Sequence, residues 1–133
     1  MENQPGLSDA EREVLRVLWD QGPGTVREIK DALTGRGRGW AYTTVSTLLQ
    51  RLATKQYAAA DSSVMPHIYR ATVTRDELLE RRLKDAAHEL CDGQAAPLML
   101  ALVQGNRFSA DELARFRRLL DEAAGDESRR KKS

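Results

Sequence analysis

Cysteine is almost missing from this 133-residue chain. Cys91 stands alone, so no intrachain disulfide can form, and a reducing compartment, the cytoplasm, is the natural home. Long apolar runs are missing as well. The longest, residues 95–103, falls far short of the roughly 20 residues that a bilayer span demands, and nothing resembles a signal peptide, so no membrane insertion is expected. Catalytic patterns are equally scarce. His67 and His88 are the only histidines, and H-E-L-C at His88 lacks the second histidine of a zinc-protease helix. No glycine-rich phosphate loop or nucleophile elbow occurs, and a metal-thiolate site at Cys91 would need a partner chain. An enzyme is therefore not expected, and neither is a metal or a cofactor. Cys91 reads as a small core residue or an incidental thiol.

The most informative absence is local. Net charge is only +1, so any basic patch must be confined, and the length suits one or two small domains. Between Asp31 and Asp61 no acidic residue occurs, while Arg36, Arg38, Arg51 and Lys55 all fall there. That interval contains residues 40–57, W-A-Y-T-T-V-S-T-L-L-Q-R-L-A-T-K-Q-Y. Val45, Leu48, Leu49 and Leu52 recur at i, i+3, i+4 and i+7, one apolar stripe of a helix. The opposite face carries short hydroxyls, an amide and a guanidinium, donors and acceptors with little entropy to lose. Ser and Thr are mediocre helix formers, so a face selected for stability alone would rather carry Glu, Lys and Ala. A surface suited to a polyanion is the stronger reading, against a polar outer face that merely tolerates these residues.

The flanking segments supply a frame for that helix. Ser8 and Glu11 form a capping box for a helix whose Ala10, Val14, Leu15 and Leu18 point inward, with Trp19 also assigned to the core. Gly22-Pro23 stops it. Thr25 and Glu28 cap a second helix with Val26, Ile29 and Leu33 buried, and Gly35 ends it. Residues 35–39, G-R-G-R-G, read as a mobile connector whose Arg36 and Arg38 could meet phosphates, a solvated loop being the plainer alternative. Further on, Y-A-A-A, D-S-S and H-I-Y-R-A-T-V predict a two-stranded hairpin, with Pro66 at the start or edge of its strand.

Three helices and a hairpin make a winged helix-turn-helix, whose third helix reads the DNA major groove. On that helix Thr43, Ser46 and Thr47, with Thr44 beside them, are assigned toward base edges. Tyr42, Gln50, Arg51 and Lys55 are assigned to phosphates or flanking bases. Arg70 joins them from the charge-poor wing, where it reads equally well as a structural surface residue. Ala41 offers no capping side chain where Ser or Asp would be expected, so no cap marks the helix start.

Beyond Thr74 the character changes. Thr74 and Glu77 cap a helix carrying Leu79, Leu83, Ala86 and Leu90 on a narrow seam. Pro97 opens a brief apolar helix with Leu98, Leu100 and Leu102, and Ser109 and Glu112 cap a last one with Leu113, Phe116, Leu119 and Leu120 inward. These helices are too thin to bury their apolar faces alone. Homodimerisation through them would match a pseudo-palindromic site, and the alternative is a monomer in which they pack on the winged helix. The expected fold is mainly α with a small β-hairpin. Residues 1–74 form a winged-helix DNA-binding domain, 75–124 a helical dimerisation domain and 125–133 a disordered charged tail.

The order L-S-D-A-E-R-E-V-L-R-V-L-W, T-V-R-E-I, A-Y-T-T-V-S-T-L-L-Q-R-L-A-T-K and Y-R-A resembles the penicillinase-repressor family of BlaI/MecI-type winged-helix regulators, from Leu7 to about Leu120. The pairing of T-T-V-x-T-L-L-x-R-L with the upstream E-x-x-V-L-x-x-L-W is its most specific part. The resemblance implies a dimeric repressor of palindromic operators in double-stranded DNA. It also implies release when a membrane-bound metalloprotease sensor triggers cleavage of the C-terminal part. The best-known members are cut between Asn and Phe; aligned backward from F-S-A-D-E-L, those positions fall on Ala101 and Leu102. Both flanks of the bond are altered, so protease specificity is expected to differ. Some relatives sense copper through a C-terminal cysteine cluster, which this chain lacks. The open alternatives are a winged helix used as a protein adaptor, and a repressor displaced by a ligand rather than by cleavage.

Overall fold

The computed structural model describes residues 6–132, with the side chains of 131 and 132 left aside. The polar lead 1–5 and Ser133 of the expected tail lie outside the described residues. Six helices and three short strands follow in the order α1 (Asp9–Gln21), β1 (Gly24–Thr25), α2 (Val26–Gly35), α3 (Tyr42–Thr54), β2 (Ala58–Asp61), β3 (Ile68–Ala71), α4 (Arg75–Leu90), α5 (Ala96–Gly105) and α6 (Ala110–Lys132). None of these helices is long and apolar enough to cross a membrane.

Both N-terminal capping boxes form as the sequence predicts. Ser8 Oγ accepts from Glu11 N–H at 3.1 Å while Glu11 Oε1 accepts from Ser8 N–H at 2.8 Å, and Thr25 and Glu28 repeat the exchange at 3.2 and 2.9 Å. At the end of α1, Gly22 adopts φ 84, ψ −170, a region open essentially to glycine alone. The end of α2 differs from the expected mobile connector. Arg38 N–H donates to Leu33 C=O at 2.9 Å and Gly37 N–H to Thr34 C=O at 3.0 Å, with Gly37 at φ 87. This is a Schellman cap, in which the left-handed glycine lets the chain turn back and satisfy the last carbonyls. The two arginines are thus held on an ordered turn.

A third strand joins the expected hairpin. β3 is central, pairing antiparallel with β2 from Ala58↔Ala71 to Asp61↔Ile68, and with β1 at Gly24↔Tyr69 and Thr25↔Ile68. Two residues are too few to carry a period-two pattern, so β1 is invisible to sequence reading. Pro66 lies ahead of β3, outside the ladder. In the wing turn, Asp61 Oδ1 accepts from both Ser63 N–H and Ser63 Oγ, at 3.0 and 2.6 Å.

Val14, Leu15, Leu18, Ile29, Leu33, Val45, Leu48, Leu49, Leu52, Tyr57 and Tyr69 form one continuous core under α1, α2, α3 and the sheet. Trp19 is half-buried against it and donates Nε1–H to Val73 C=O at 2.8 Å. The compact N-terminal unit runs past Thr74 to Leu83, because Leu78 on the first turn of α4 belongs to the same core. Arg82 also donates to the hydroxyl of buried Tyr57 at 2.6 Å.

The second unit, residues 84–133, is described by itself. Its α5 buries no residue, and α6 is capped by Ser109 and Glu112 as expected. Phe108 and Phe116 meet edge to face with centroids 5.1 Å apart. Helix α6 does not stop before Gly125: the segment expected as a disordered tail continues as helix to Lys132. Glu, Arg and Lys are good helix formers, and Asp126 and Arg129 pair one turn apart at 4.0 Å.

Candidate nucleic-acid interface

Helix α3 divides cleanly into two faces. Val45, Leu49 and Leu52 are fully buried and Leu48 nearly so, which locks the helix rotation and leaves Tyr42, Thr43, Thr44, Thr47, Gln50, Arg51 and Thr54 exposed, with Ser46 half-buried. Tyr42 is 51% exposed. The rotation comes from the apolar stripe alone, so the open face is set by the same residues that form the core.

Thr43, Thr44, Thr47 and Arg51 make no side-chain hydrogen bond or ion pair among the described residues and stand free to meet a ligand. Gln50 Nε2 lies 3.4 Å from Ser46 Oγ, too long for a strong bond, so both remain adaptable. Thr54 differs: its hydroxyl donates back to Gln50 C=O at 3.0 Å. At the N-terminus Ala41 is the cap residue and provides no side-chain acceptor, so α3 starts at Tyr42 with its first backbone N–H groups uncapped. Free N–H groups and the helix dipole together favour an anion there.

The cations around this face are not equivalent. Arg51 is exposed on it. Arg36 is paired to Asp20 at 2.9 Å, and Arg38 to Glu13 at 3.1 Å while lying 5.9 Å above the Trp40 ring. Hydrogen bonds from Arg36, opposed by a little desolvation and aided by Arg75 at 3.1 Å, hold the Asp20 carboxyl below the ordinary aspartate range. Such solvent-exposed pairs are weak, so a phosphate can replace the carboxylate partner. Arg70 projects from β3, exposed; hydrogen bonds from Ser63 lower the pKa of Asp61, and the nearby Arg70 charge adds to them. Lys55, one turn beyond Arg51, is half-buried and already engaged. Its ammonium lies 2.7 Å from Oε1 of Glu11, a carboxylate only 1% exposed whose sequence context marks it only as a helix cap. Burial pushes the Glu11 pKa up, and the hydrogen bonds from Lys55 and Ser8 outweigh that and hold it below the ordinary glutamate range. The signal available in the sequence was slight: Glu11 falls on the inward stripe of α1 beside Val14, Leu15 and Leu18.

In the second unit the residues assigned to dimerisation form an open apolar surface. Leu90 is 79% exposed, Leu100 and Leu120 are exposed, and Leu98, Leu113 and Phe116 are half-buried. A groove of about 500 Å³ between α5 and α6 is lined by Met99, Leu102, Val103, Phe108, Phe116, Leu119 and Leu120. On α4, Leu79 and Leu83 are also exposed. Ala101 and Leu102, the candidate cleavage positions, are exposed on α5.

The penicillinase repressor family model matches residues 7–122. The transcriptional regulator BlaI of Mycobacterium tuberculosis is 39% identical over 118 residues, covering 87% of this chain and 83% of that protein. The penicillinase repressor of Bacillus licheniformis is 22% identical over 122 residues, covering 92% and 94%. Two solved structures are similar at 26% identity, each covering 58% of this chain and 93% of its own. They are the DNA-binding domain of the repressor BlaI, with a TM-score of 0.49, and monomeric Bacillus licheniformis BlaI in complex with the blaP half-operator, with 0.48. The family match spans both units, and the chain belongs to the penicillinase repressor family: it is a BlaI-type transcriptional repressor with a winged-helix DNA-binding domain, not an enzyme.

Proposed function

We propose that this repressor binds palindromic operator DNA as a homodimer, with α3 in the major groove, and that proteolysis in α5 ends repression. The observation that carries the reading is the open face of α3: the Thr43, Thr44 and Thr47 hydroxyls and the Arg51 guanidinium without hydrogen-bond partners among the described residues, no carboxylate, and an uncapped N-terminus. Thr43, Ser46 and Thr47 would read base edges, with Thr44 beside them, Arg51 would meet phosphate, and Tyr42 and Gln50 would meet phosphates or flanking bases. Arg36 and Arg38 would exchange Asp20 and Glu13 for phosphates, and Arg70 would follow the backbone from the wing. The winged-helix part, residues 1–74, would carry DNA recognition and residues 75–124 the pairing of two copies. The exposed leucines around the groove between α5 and α6 support that division, because an open apolar patch of this kind is uncommon on a monomer. Footprinting with the purified chain across its own genomic neighbourhood tests the whole reading. Two protected half-sites about one helical turn apart, or a multiple of it, are expected; protection of a single half-site by the intact chain overturns the dimer.

Release by a membrane sensor metalloprotease would act on the bond between Ala101 and Leu102. A cut there separates α6 from the first turns of α5 and removes apolar area worth about 25 cal/mol per Å² from the pairing surface. The groove between α5 and α6 favours a second reading, displacement by a small apolar ligand. Exposing cells to cell-wall antibiotics and following the chain by immunoblot separates the two. Loss of the intact band with derepression is expected. Derepression with the full-length chain persisting, or normal induction of an Ala101→Asp variant, sinks cleavage.

A further inference from the structure

Lys55 follows the last turn of α3, its backbone N–H donating to Arg51 and Ala53 carbonyls, and its side chain reaches the start of α1. Nζ lies 2.7 Å from Glu11 Oε1 and 3.0 Å from Gly6 C=O, and the same Oε1 accepts Ser8 N–H at 2.8 Å. Glu11 Oε2 is buried with no hydrogen-bond partner among the described residues. A buried pair with an orphaned oxygen holds two helices no more firmly than an apolar pair of the same size would. What it adds is direction, since a short charge-assisted bond tolerates little displacement. At the other end of α3 Ala41 cannot cap, and no ion pair among the described residues ties that end.

We propose that Lys55 and Glu11 form a positioning pair that sets the pose of α3 against α1 and so governs discrimination between DNA sequences, with Lys55 making no phosphate contact. The inference rests on the DNA-reading role of α3 given above. The Lys55 charge is already neutralised by Glu11, so bringing DNA up to α3 releases no counterion on its account. A pivot of α3 by about 1 Å breaks base-edge hydrogen bonds from Thr43 and Thr47, while the attraction of Arg51 for phosphate survives it.

The test uses the full chain. Duplexes enriched by the wild type from a random-sequence pool are compared with scrambled duplexes of the same composition, by fluorescence anisotropy across a range of salt. A wild type that binds no duplex overturns the DNA reading and this inference together. Once it selects a sequence, the variants address the pair alone. Lys55→Met and Glu11→Gln are each expected to reduce the ratio of selected to scrambled affinity about tenfold or more, the order of one lost base contact, without lowering the salt slope. The double variant should be no worse than either single, because the two residues act as one unit. Arg51→Ala, as the reference, lowers the slope by about 0.9. A Lys55→Met chain whose slope falls by that amount while its ratio holds overturns the proposal in favour of a phosphate contact. So does wild-type discrimination in both variants. Circular dichroism establishes folding, and Glu11→Gln, which keeps an N3 acceptor for the capping box, decides the matter should Lys55→Met fail to fold.

Discussion

Thr47 and Arg51 stand one turn apart on the exposed face of α3, yet their chemistry separates them. A threonine hydroxyl can distinguish one base edge from another, whereas a guanidinium over the backbone senses only charge. Thr47→Ala is accordingly expected to cost about 1–3 kcal/mol on the preferred operator and little on random DNA, and Arg51→Ala to weaken both equally while flattening the salt dependence. Binding titrations on the two duplexes at several salt concentrations check both; equal losses on both duplexes for Thr47→Ala would remove it from base readout. Glu11 makes a pH-dependent contribution to stability. Its folded pKa is depressed, so that contribution is present above the unfolded value of roughly 4.3 and fades as pH falls through the lower folded value. Without Lys55, only the Ser8 hydrogen bonds oppose burial, and the folded pKa moves upward. The penalty of Lys55→Met should then be largest near neutral pH and shrink on acidification toward about 4.3, read by urea unfolding at each pH. A penalty independent of pH would mean that Glu11 is not the buried partner. Such a pairing is hard to foresee, since residues 44 apart in sequence carry no joint signature.

The helices of the DNA-reading unit follow from local rules that neighbouring residues obey together: capping boxes at Ser8 and Thr25, apolar stripes at helical spacing, glycine where the chain must turn. The end of α3 breaks one of them. Gln56 has φ 69, and its N–H and that of Tyr57 donate to Ala53 and Leu52 carbonyls at 3.1 and 2.9 Å, a Schellman cap without its glycine. A left-handed non-glycine residue costs about 1 kcal/mol, so Gln56→Gly should raise stability by that amount in chemical denaturation, without altering operator preference. Leu49, fully buried at the centre of α3, should behave in the opposite sense. Leu49→Ala is expected to lose about 2–5 kcal/mol, visible as a lower denaturation midpoint at unchanged slope. Strand β1 escaped sequence reading because its two residues acquire strand character only by pairing with Tyr69 and Ile68 of β3. The connector at Gly35 escaped for a related reason: glycines read locally as freedom, and only the hydrogen bonds to Leu33 and Thr34 turn Gly37 into a cap.

At the scale of the molecule, DNA affinity is expected to depend on both units. A fragment of residues 1–83 keeps the core intact, including Leu78, and should unfold at a higher temperature than one of residues 1–74, where that side chain is lost. The same fragment should bind operator much more weakly than the full chain, since joining two half-sites makes the second contact effectively intramolecular. Equal affinity would show that the C-terminal helices do not pair copies. Sedimentation of Leu120→Asp checks the same point from the other side, a shift to monomer being expected. What the sequence determined by itself was the order of helices, the rotation of α3 and hence the exposed, acid-free face, because helical periodicity and capping act between residues a few positions apart. Which cations stay on that face was decided only by tertiary structure. Arg51 remains there, Arg36 and Arg38 are held by Asp20 and Glu13, and Lys55 is drawn to Glu11. Charge attraction takes no account of sequence separation: each of those partners lies on α1, and only the packing of three helices around one core brings them within a few ångströms.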